Sequence, residues 1–140
     1  MEQGYIKITE SEKYGFVVEA KLINGGLWIS KWQMATLFNV FTKTIESNLS
    51  AIFKAGLLKE NEVSCIHTFI NNGRKNELAL YNLDTLILVG FRIPSFEAKA
   101  FREWVIKSFS EYARNGCGKF HNAIIVLNSH FKETMSISLN

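Results

Sequence analysis

Residues 30–53 read SKWQMATLFNVFTKTIESNLSAIF, and this stretch decides the fold. Ser30 is a favourable N-cap for a first helix, whose apolar residues recur at helical spacing as far as Phe38. A short break follows, and Thr42 then offers a cap for a second helix that extends to Phe53. Two helices joined by so short a break are typical of a helix-turn-helix.

The residues around the break fit the way in which the two helices of a helix-turn-helix cross. Ala35 is small where the helices approach, and Asn39, four positions later, tolerates the left-handed backbone that the turn needs. The apolar residues available to fill the crossing are Met34, Phe38, Val40 and Ile45. An ordinary helical hairpin with a polar face fits the same pattern, so DNA binding is one of two interpretations at this point.

Polar residues of the second helix suit contact with DNA. Serine, threonine and asparagine bond phosphates or base edges, and lysine neutralises phosphate. Glu46 accepts a hydrogen bond from cytosine but repels the phosphate backbone, and the helix has no arginine for guanine. The predicted DNA contacts on and beside this helix are Lys31, Lys43, Thr44, Ser47, Asn48 and Lys54.

A hairpin with a basic tip is predicted after the two helices. Residues 63–70 and 77–81 are rich in strand-forming side chains, and residues 71–75 form a turn between them. Arg74 and Lys75 lie at the tip, where the wing of a winged helix contacts the DNA backbone or the minor groove. A solvated turn is the alternative for the same two residues.

The remaining elements give an α+β fold, predicted as a winged helix-turn-helix-like domain with an N-terminal antiparallel sheet and two C-terminal packing helices. Residues 5–29 read as the antiparallel unit. Asn82 caps a buried helix over 83–90, and Ser95 caps a long helix to about Arg114. The apolar face of the long helix is expected to comprise Phe101, Trp104, Val105, Phe109 and Tyr112.

Composition indicates a globular domain, and the sequence shows no pattern that predicts membrane insertion or secretion. The chain has 140 residues with 47% hydrophobic and 21% charged residues, and its net charge of +3 permits a nucleic-acid partner without requiring one. There is no run of about 20 apolar residues and no pattern typical of a signal peptide, which predicts a cytoplasmic protein without a membrane anchor. Two cysteines are too few for a disulfide framework.

Five stretches in order along the chain resemble the RhuM family, bacterial and phage-associated proteins labelled virulence protein RhuM. These stretches are LWISKWQMATLF (27–38), TIESNLSAIF (44–53), YNLD (81–84), VGFRI (89–93) and AFREW (100–104). The resemblance covers about residues 5–116 and implies a DNA-binding domain similar to the N-terminal domains of phage antirepressors. The sequence of this chain differs from the family pattern at Asn39-Val40-Phe41, where Gly-Val-Ser is usual, and in residues 117–140.

The resulting prediction is a domain over residues 1–116 followed by a divergent C-terminal tail over 117–140. The domain is expected to bind double-stranded DNA as a transcriptional regulator encoded on a mobile element, and to act as a homodimer because one such module binds weakly. The alternative is a protein-interaction module of antirepressor type that acts on a repressor or another partner protein. The modest charge and Glu46 favour this alternative.

Other chemistry is not predicted. A metal site is weighed at Cys117, His121 and His130, with Cys65 and His67 as a second pair. Glycines on both sides of Cys117 disfavour a helix that would bring Cys117 and His121 onto one face, so neither a zinc site nor a cofactor is expected. Helix caps and surface charges account for the acidic residues Asp84 and Glu97, so an enzyme is not expected. Arg92 and Arg102 are weighed as phosphate ligands against intramolecular ion pairs, with Asp84 or Glu97 as partners of Arg102. Trp28 and Trp32 are expected at the core or its edge.

Overall fold

The computed structural model describes residues 3–115 and, for the backbone, residues 124–127. These residues form five helices and two antiparallel sheets, so the predicted α+β class is confirmed. The elements in chain order are β1 (Tyr5–Ser11), β2 (Gly15–Lys21), β3 (Trp28–Ile29), α1 (Lys31–Phe38), α2 (Thr42–Lys54), α3 (Glu60–Val63), β4 (Ser64–Asn71), β5 (Arg74–Asn82), α4 (Leu83–Gly90), α5 (Phe96–Asn115) and β6 (Ile124–Leu127).

The strands over residues 5–29 do not form one unit, which corrects the expectation from sequence. β1 pairs with β2 as predicted, but β3 leaves that sheet and pairs with β5, with Ile29 opposite Tyr81. The cause is the turn at Asn24-Gly25, where both residues have positive φ and close only an isolated bridge between Ile23 and Gly26. The reversed chain then enters the second sheet, whose strand order is β3-β5-β4.

The start of α1 and the turn after it follow the sequence closely. The Ser30 hydroxyl accepts a hydrogen bond from the Gln33 amide at 3.1 Å, and Gln33 Oε1 accepts from the Ser30 amide at 2.8 Å, which completes a capping box. Asn39 takes the left-handed conformation, with φ of 56°. Thr42, however, is the first residue of α2 and does not cap it, because the N-cap is Phe41 without a side-chain bond.

The hairpin differs from the prediction in its bounds. Val63 ends the short helix α3, so β4 begins at Ser64. The turn is two residues long, because Asn72 and Gly73 both have positive φ and allow the tight reversal of a hairpin. Arg74 is therefore the first residue of β5, and it lies opposite Asn71.

One hydrophobic core joins α1, α2, α4 and α5 to both sheets. Its fully buried members include Phe38, Ile45, Leu86 and Phe101, and the rings of Phe38 and Phe101 meet edge to face at 5.3 Å. Gly90 makes this approach possible, since a Cβ there would lie 2.5 Å from Phe101 Cδ2. The core thus fixes α1, α4 and α5 against one another.

The buried face of α5 is narrower than its apolar pattern predicts. Phe101 and Trp104 are buried as expected, but Phe109 is 70% exposed and Tyr112 is also exposed. The other buried residues of α5 are Ala98 and Lys107. Periodicity identifies the apolar face of a helix, but tertiary packing determines how much of that face other elements cover.

The predicted tail contributes one strand to the described structure. β6 pairs with β2, and its Leu127 lies opposite Val18. The other residues of 117–140 lie outside the described part of the chain, and the boundary at residue 116 stays a prediction. In residues 3–115 and 124–127, no helix combines the length and the apolar character needed to cross a membrane.

Candidate nucleic-acid interface

The outer face of α2 carries a row of small and basic side chains. Ile45, Leu49 and Ile52 are buried and define the inner face of the helix. The exposed residues on the opposite side follow one another at intervals of four, three and four positions, which places them in a single line along the helix. These residues, called the outer row here, are Lys43, Ser47, Ser50 and Lys54.

Three of the four residues in the outer row are predicted DNA contacts, and Ser50 is a new one. The contacts predicted for the groove lie between Lys43 and Asn48, and Lys54 is predicted only as a contact to flanking phosphate. Continuing the period from Lys43 and Ser47 would have reached Ser50. The outer row contains no carboxylate, and the lysines at its two ends are eleven positions apart, or about 16 Å along a helix axis.

Thr44 and Asn48 lie on the flank of α2 and not on its outer face. Both are half-buried. Asn48 Nδ2 donates to the Thr44 carbonyl oxygen at 2.8 Å, and Asn48 Oδ1 accepts from Arg92 Nε at 2.8 Å. The amide is thus engaged on both sides, so it would have to release a bond before it could pair bidentately with adenine.

Arg92 extends the basic surface beside α2. It lies just after α4, in the sequence VGFRI, and it is exposed. Its Nε is bound by Asn48, whereas its two terminal nitrogens have no partner among residues 3–115 and 124–127. The guanidinium is therefore held next to α2 with its outer edge open, which is the edge that binds phosphate in a bidentate manner.

Lys31 is less available than the sequence suggested. Its Nζ lies 3.0 Å from Glu46 Oε2 and 4.7 Å from the centre of the Trp32 ring. The ion pair joins the start of α1 to the exposed carboxylate of α2. It offsets the charge of Glu46, which would otherwise repel a phosphate near this end of the helix.

The β4–β5 hairpin is anchored beside the end of α2. The rings of Phe53 and Tyr81 stack with centres 6.3 Å apart, and burial raises the pKa of Tyr81 above its usual value of 10.0. Arg74 lies seven residues before Tyr81, or about 23 Å along an extended strand, so the tip projects well beyond this anchor. Arg74 and Lys75 are both exposed, and as neighbours in a strand they point to opposite faces of the hairpin.

Arg102 has a structural role that differs from the predicted ion pair. Its Nη1 donates to the carbonyl oxygens of Gly90 at 2.9 Å and Ile93 at 2.6 Å, and not to Asp84 or Glu97. Carbonyls at the end of a helix lack partners within the helix, so a donor from α5 satisfies them. Arg102 therefore fixes the turn that carries Arg92.

Among the described residues, the other side chains considered from the sequence form no second site. Trp28 and Trp32 are both about half exposed, so neither lies in the core, although Trp28 is in the edge strand β3. Within the described ranges, no three His, Cys, Asp or Glu side chains are grouped so as to hold a metal ion. Cys117, His121 and His130 lie outside those ranges.

Comparison with known proteins identifies no relative: no protein-family model, no curated protein and no solved structure matches the chain. The features of the described residues that bear on function are therefore the outer row of α2, Arg92 beside it and the tip of the hairpin.

Proposed function

We propose that this chain binds double-stranded DNA as a winged helix-turn-helix protein, with α2 in the major groove and the β4–β5 hairpin as the wing. The observation that carries the proposal is the outer row, in which two serines lie between two lysines on the exposed face of α2. A major groove about 12 Å wide admits one helix, and lysines near the two ends of that helix can reach phosphates on either side.

Each group in the interface has a distinct task. Lys43, Lys54 and Arg92 would neutralise phosphates and fix the register of the helix, since such contacts position a protein without reading sequence. Ser47 and Ser50 would face the base edges, where a hydroxyl both donates and accepts. Arg74 and Lys75 would contact the backbone or the minor groove at the wing.

The size of the charged surface limits the affinity of one copy. Five basic residues in this arrangement give binding that weakens steeply with salt. A homodimer that places two copies on adjacent half-sites would raise the affinity and define a specific site. The resemblance to the RhuM family supports a regulator encoded on a mobile element, acting in the cytoplasm.

A protein-interaction module is the second candidate, and Phe41 favours it. This side chain is 85% exposed at the turn between α1 and α2, where the family usually has a serine. A large apolar residue at the entrance to α2 suits contact with another protein better than contact with phosphate. An antirepressor would use this end of α2 to bind its repressor.

A matched pair of substitutions tests the proposal. Lys43→Ala removes a charge from the outer row, and Lys13→Ala removes the same charge from the exposed turn between β1 and β2. We expect Lys43→Ala to weaken the binding of a mixed-sequence duplex several-fold in a fluorescence anisotropy titration, and Lys13→Ala to leave it unchanged. Equal affinities for both variants and the wild type would contradict the proposal. Loss of a co-purified repressor on Phe41→Ser would then support the protein-interaction module.

A further inference from the structure

Within residues 3–115 and 124–127, the outer edge of β4 has no pairing strand. In the sheet order β3-β5-β4, β4 pairs with β5 on one side, and no strand of the described residues pairs with its other side. Every residue of β4 after Ser64 is exposed, including Ile66 at 59% and Ile70 at 79%. An exposed strand edge is a template for pairing with another strand.

The register of the hairpin shows which backbone groups face outward. Across a two-residue turn the flanking residues, Asn71 and Arg74, exchange hydrogen bonds, and bonded pairs then alternate along the two strands. The amide and carbonyl groups of the odd-numbered residues of β4 therefore point to β5. Those of the even-numbered residues point away from the sheet; these are Ser64, Ile66, Thr68 and Ile70.

The strand lacks the residues that normally protect an edge. Natural sheets block edge pairing with charged side chains, proline or bulges. β1, an edge strand of the other sheet, carries Lys7 and Glu10, whereas residues 64–71 read SCIHTFIN and contain no charge and no proline. All the charges at the tip of the hairpin are on β5 instead.

We propose that β4 pairs in an antiparallel manner with β4 of a second copy of this chain, with His67 at the two-fold axis. In this register Ile66 lies opposite the partner's Thr68, and Ser64 lies opposite the partner's Ile70. All four outward-facing residues then find bonded partners, which no register shifted along the strand allows. Ile66 and Ile70 lie on one face of the strand, and Ile66 becomes a diagonal neighbour of the partner's Ile66 and of the partner's Ile70.

A second copy fits this edge better than a strand of a different kind. An uncharged strand meets an uncharged strand, so no charge is removed from water without a partner. One strand edge is smaller than the roughly 800 Å² per partner of a standard interface, so we expect dissociation constants on the order of 10 µM. Antiparallel pairing also points the two hairpin tips in opposite directions.

A cysteine cross-link tests the register without DNA. At a non-bonded antiparallel pair the Cα atoms are about 4.5 Å apart, within the range of a disulfide. His67→Cys in a chain that also carries Cys65→Ser and Cys117→Ser should give a disulfide-linked dimer on a non-reducing gel. The control is Glu77→Cys in the same background, because Glu77 is exposed on β5, away from the axis. No linked dimer, or equal amounts from both variants, would overturn the proposal.

Thr68→Pro provides the second readout. The Thr68 amide faces outward, so proline removes a bond to the partner without removing one to β5. In sedimentation at tens of micromolar, the wild type should contain dimer and Thr68→Pro should be monomeric with an unchanged circular dichroism spectrum. A wild type that stays monomeric at these concentrations would refute the dimer. The proposal for DNA binding would be unaffected, because neither measurement contains DNA.

Discussion

Arg92 Nε donates to Asn48 Oδ1 across 2.8 Å and so joins the turn after α4 to the flank of α2. The turn is held in place by Arg102, which donates to the carbonyl oxygens of Gly90 and Ile93. The flank of the helix proposed to enter the major groove is thus linked to α4 and α5 through two arginines, in addition to its own buried residues. Arg102 is half-buried and holds the turn in place. Arg92 is exposed, and its two terminal nitrogens have no partner among the described residues and can bind a ligand.

Replacing Arg92 should weaken DNA binding without unfolding the protein. Arg92→Ala removes one phosphate contact, so we expect roughly a ten-fold loss of duplex affinity and a salt slope smaller by about 0.9. Arg92→Lys keeps the charge but lacks the planar fork, so the slope should be retained and part of the affinity lost. Anisotropy titrations at several salt concentrations measure both quantities. Unchanged affinity in Arg92→Ala would place this turn outside the interface.

Removing the charge of Glu46 should strengthen DNA binding. Glu46→Gln deletes a carboxylate beside the outer row and releases Lys31 from an ion pair at 3.0 Å. Both changes favour phosphate, so we expect a several-fold higher duplex affinity at low salt and a steeper salt dependence. The matched control is Glu10→Gln in β1, which should have little effect. A lower affinity in Glu46→Gln would indicate that Glu46 itself contacts DNA.

Gly90 should tolerate no side chain. Alanine usually stabilises a helix by up to about 1 kcal/mol relative to glycine. At Gly90, however, the new Cβ would meet Phe101 atoms at 2.5 and 2.6 Å, and overpacking typically costs about 1–3 kcal/mol. Gly90→Ala should therefore lower the free energy of unfolding in urea. The control Gly26→Ala, whose Cβ meets no atom within 4 Å, should be close to neutral.

Alkaline pH should destabilise the protein in part through Tyr81. Burial raises the pKa of Tyr81 above 10.0, so the folded state keeps the phenol proton at pH values where the unfolded chain releases it. The stabilisation is present below pH 10 and is lost as the pH rises through the raised pKa of the folded state. Tyr81→Phe should reduce the loss of unfolding free energy between about pH 9 and 11. A loss of the same size in both proteins would assign it to other groups.

Local signals explain the part of the fold that the sequence could predict. The capping box at Ser30, the left-handed Asn39 and the Asn72-Gly73 turn each depend on a few neighbouring residues. The position of β3 depends on pairing with Tyr81 and Asn82, far along the chain, and periodicity carries no information on such a partner. The exposure of Phe109 likewise depends on which distant elements pack against α5, and the helical period does not specify them.

In the candidate interface, too, local patterns predict some residues, whereas contacts between distant parts of the chain determine others. Lys43, Ser47 and Lys54 follow from the helical period of α2 alone. The engagement of Asn48 by Arg92 joins residues 44 positions apart, and the sequence contains no pattern that pairs them. The sequence predicts Lys31 as a DNA contact and gives no sign of its ion pair, because its partner Glu46 belongs to the next helix.

The salt dependence of duplex binding tests the central claim most directly. A mixed-sequence duplex is titrated with the wild-type protein by fluorescence anisotropy, from low to physiological salt. Five basic residues on phosphates predict a slope of about −4 to −6 in a plot of log affinity against log salt. In the double variant Lys43→Ala/Arg74→Ala the dependence should be shallower, with the magnitude of the slope reduced by about 1.8. No binding at low salt, or a slope that this double substitution leaves unchanged, would contradict the account.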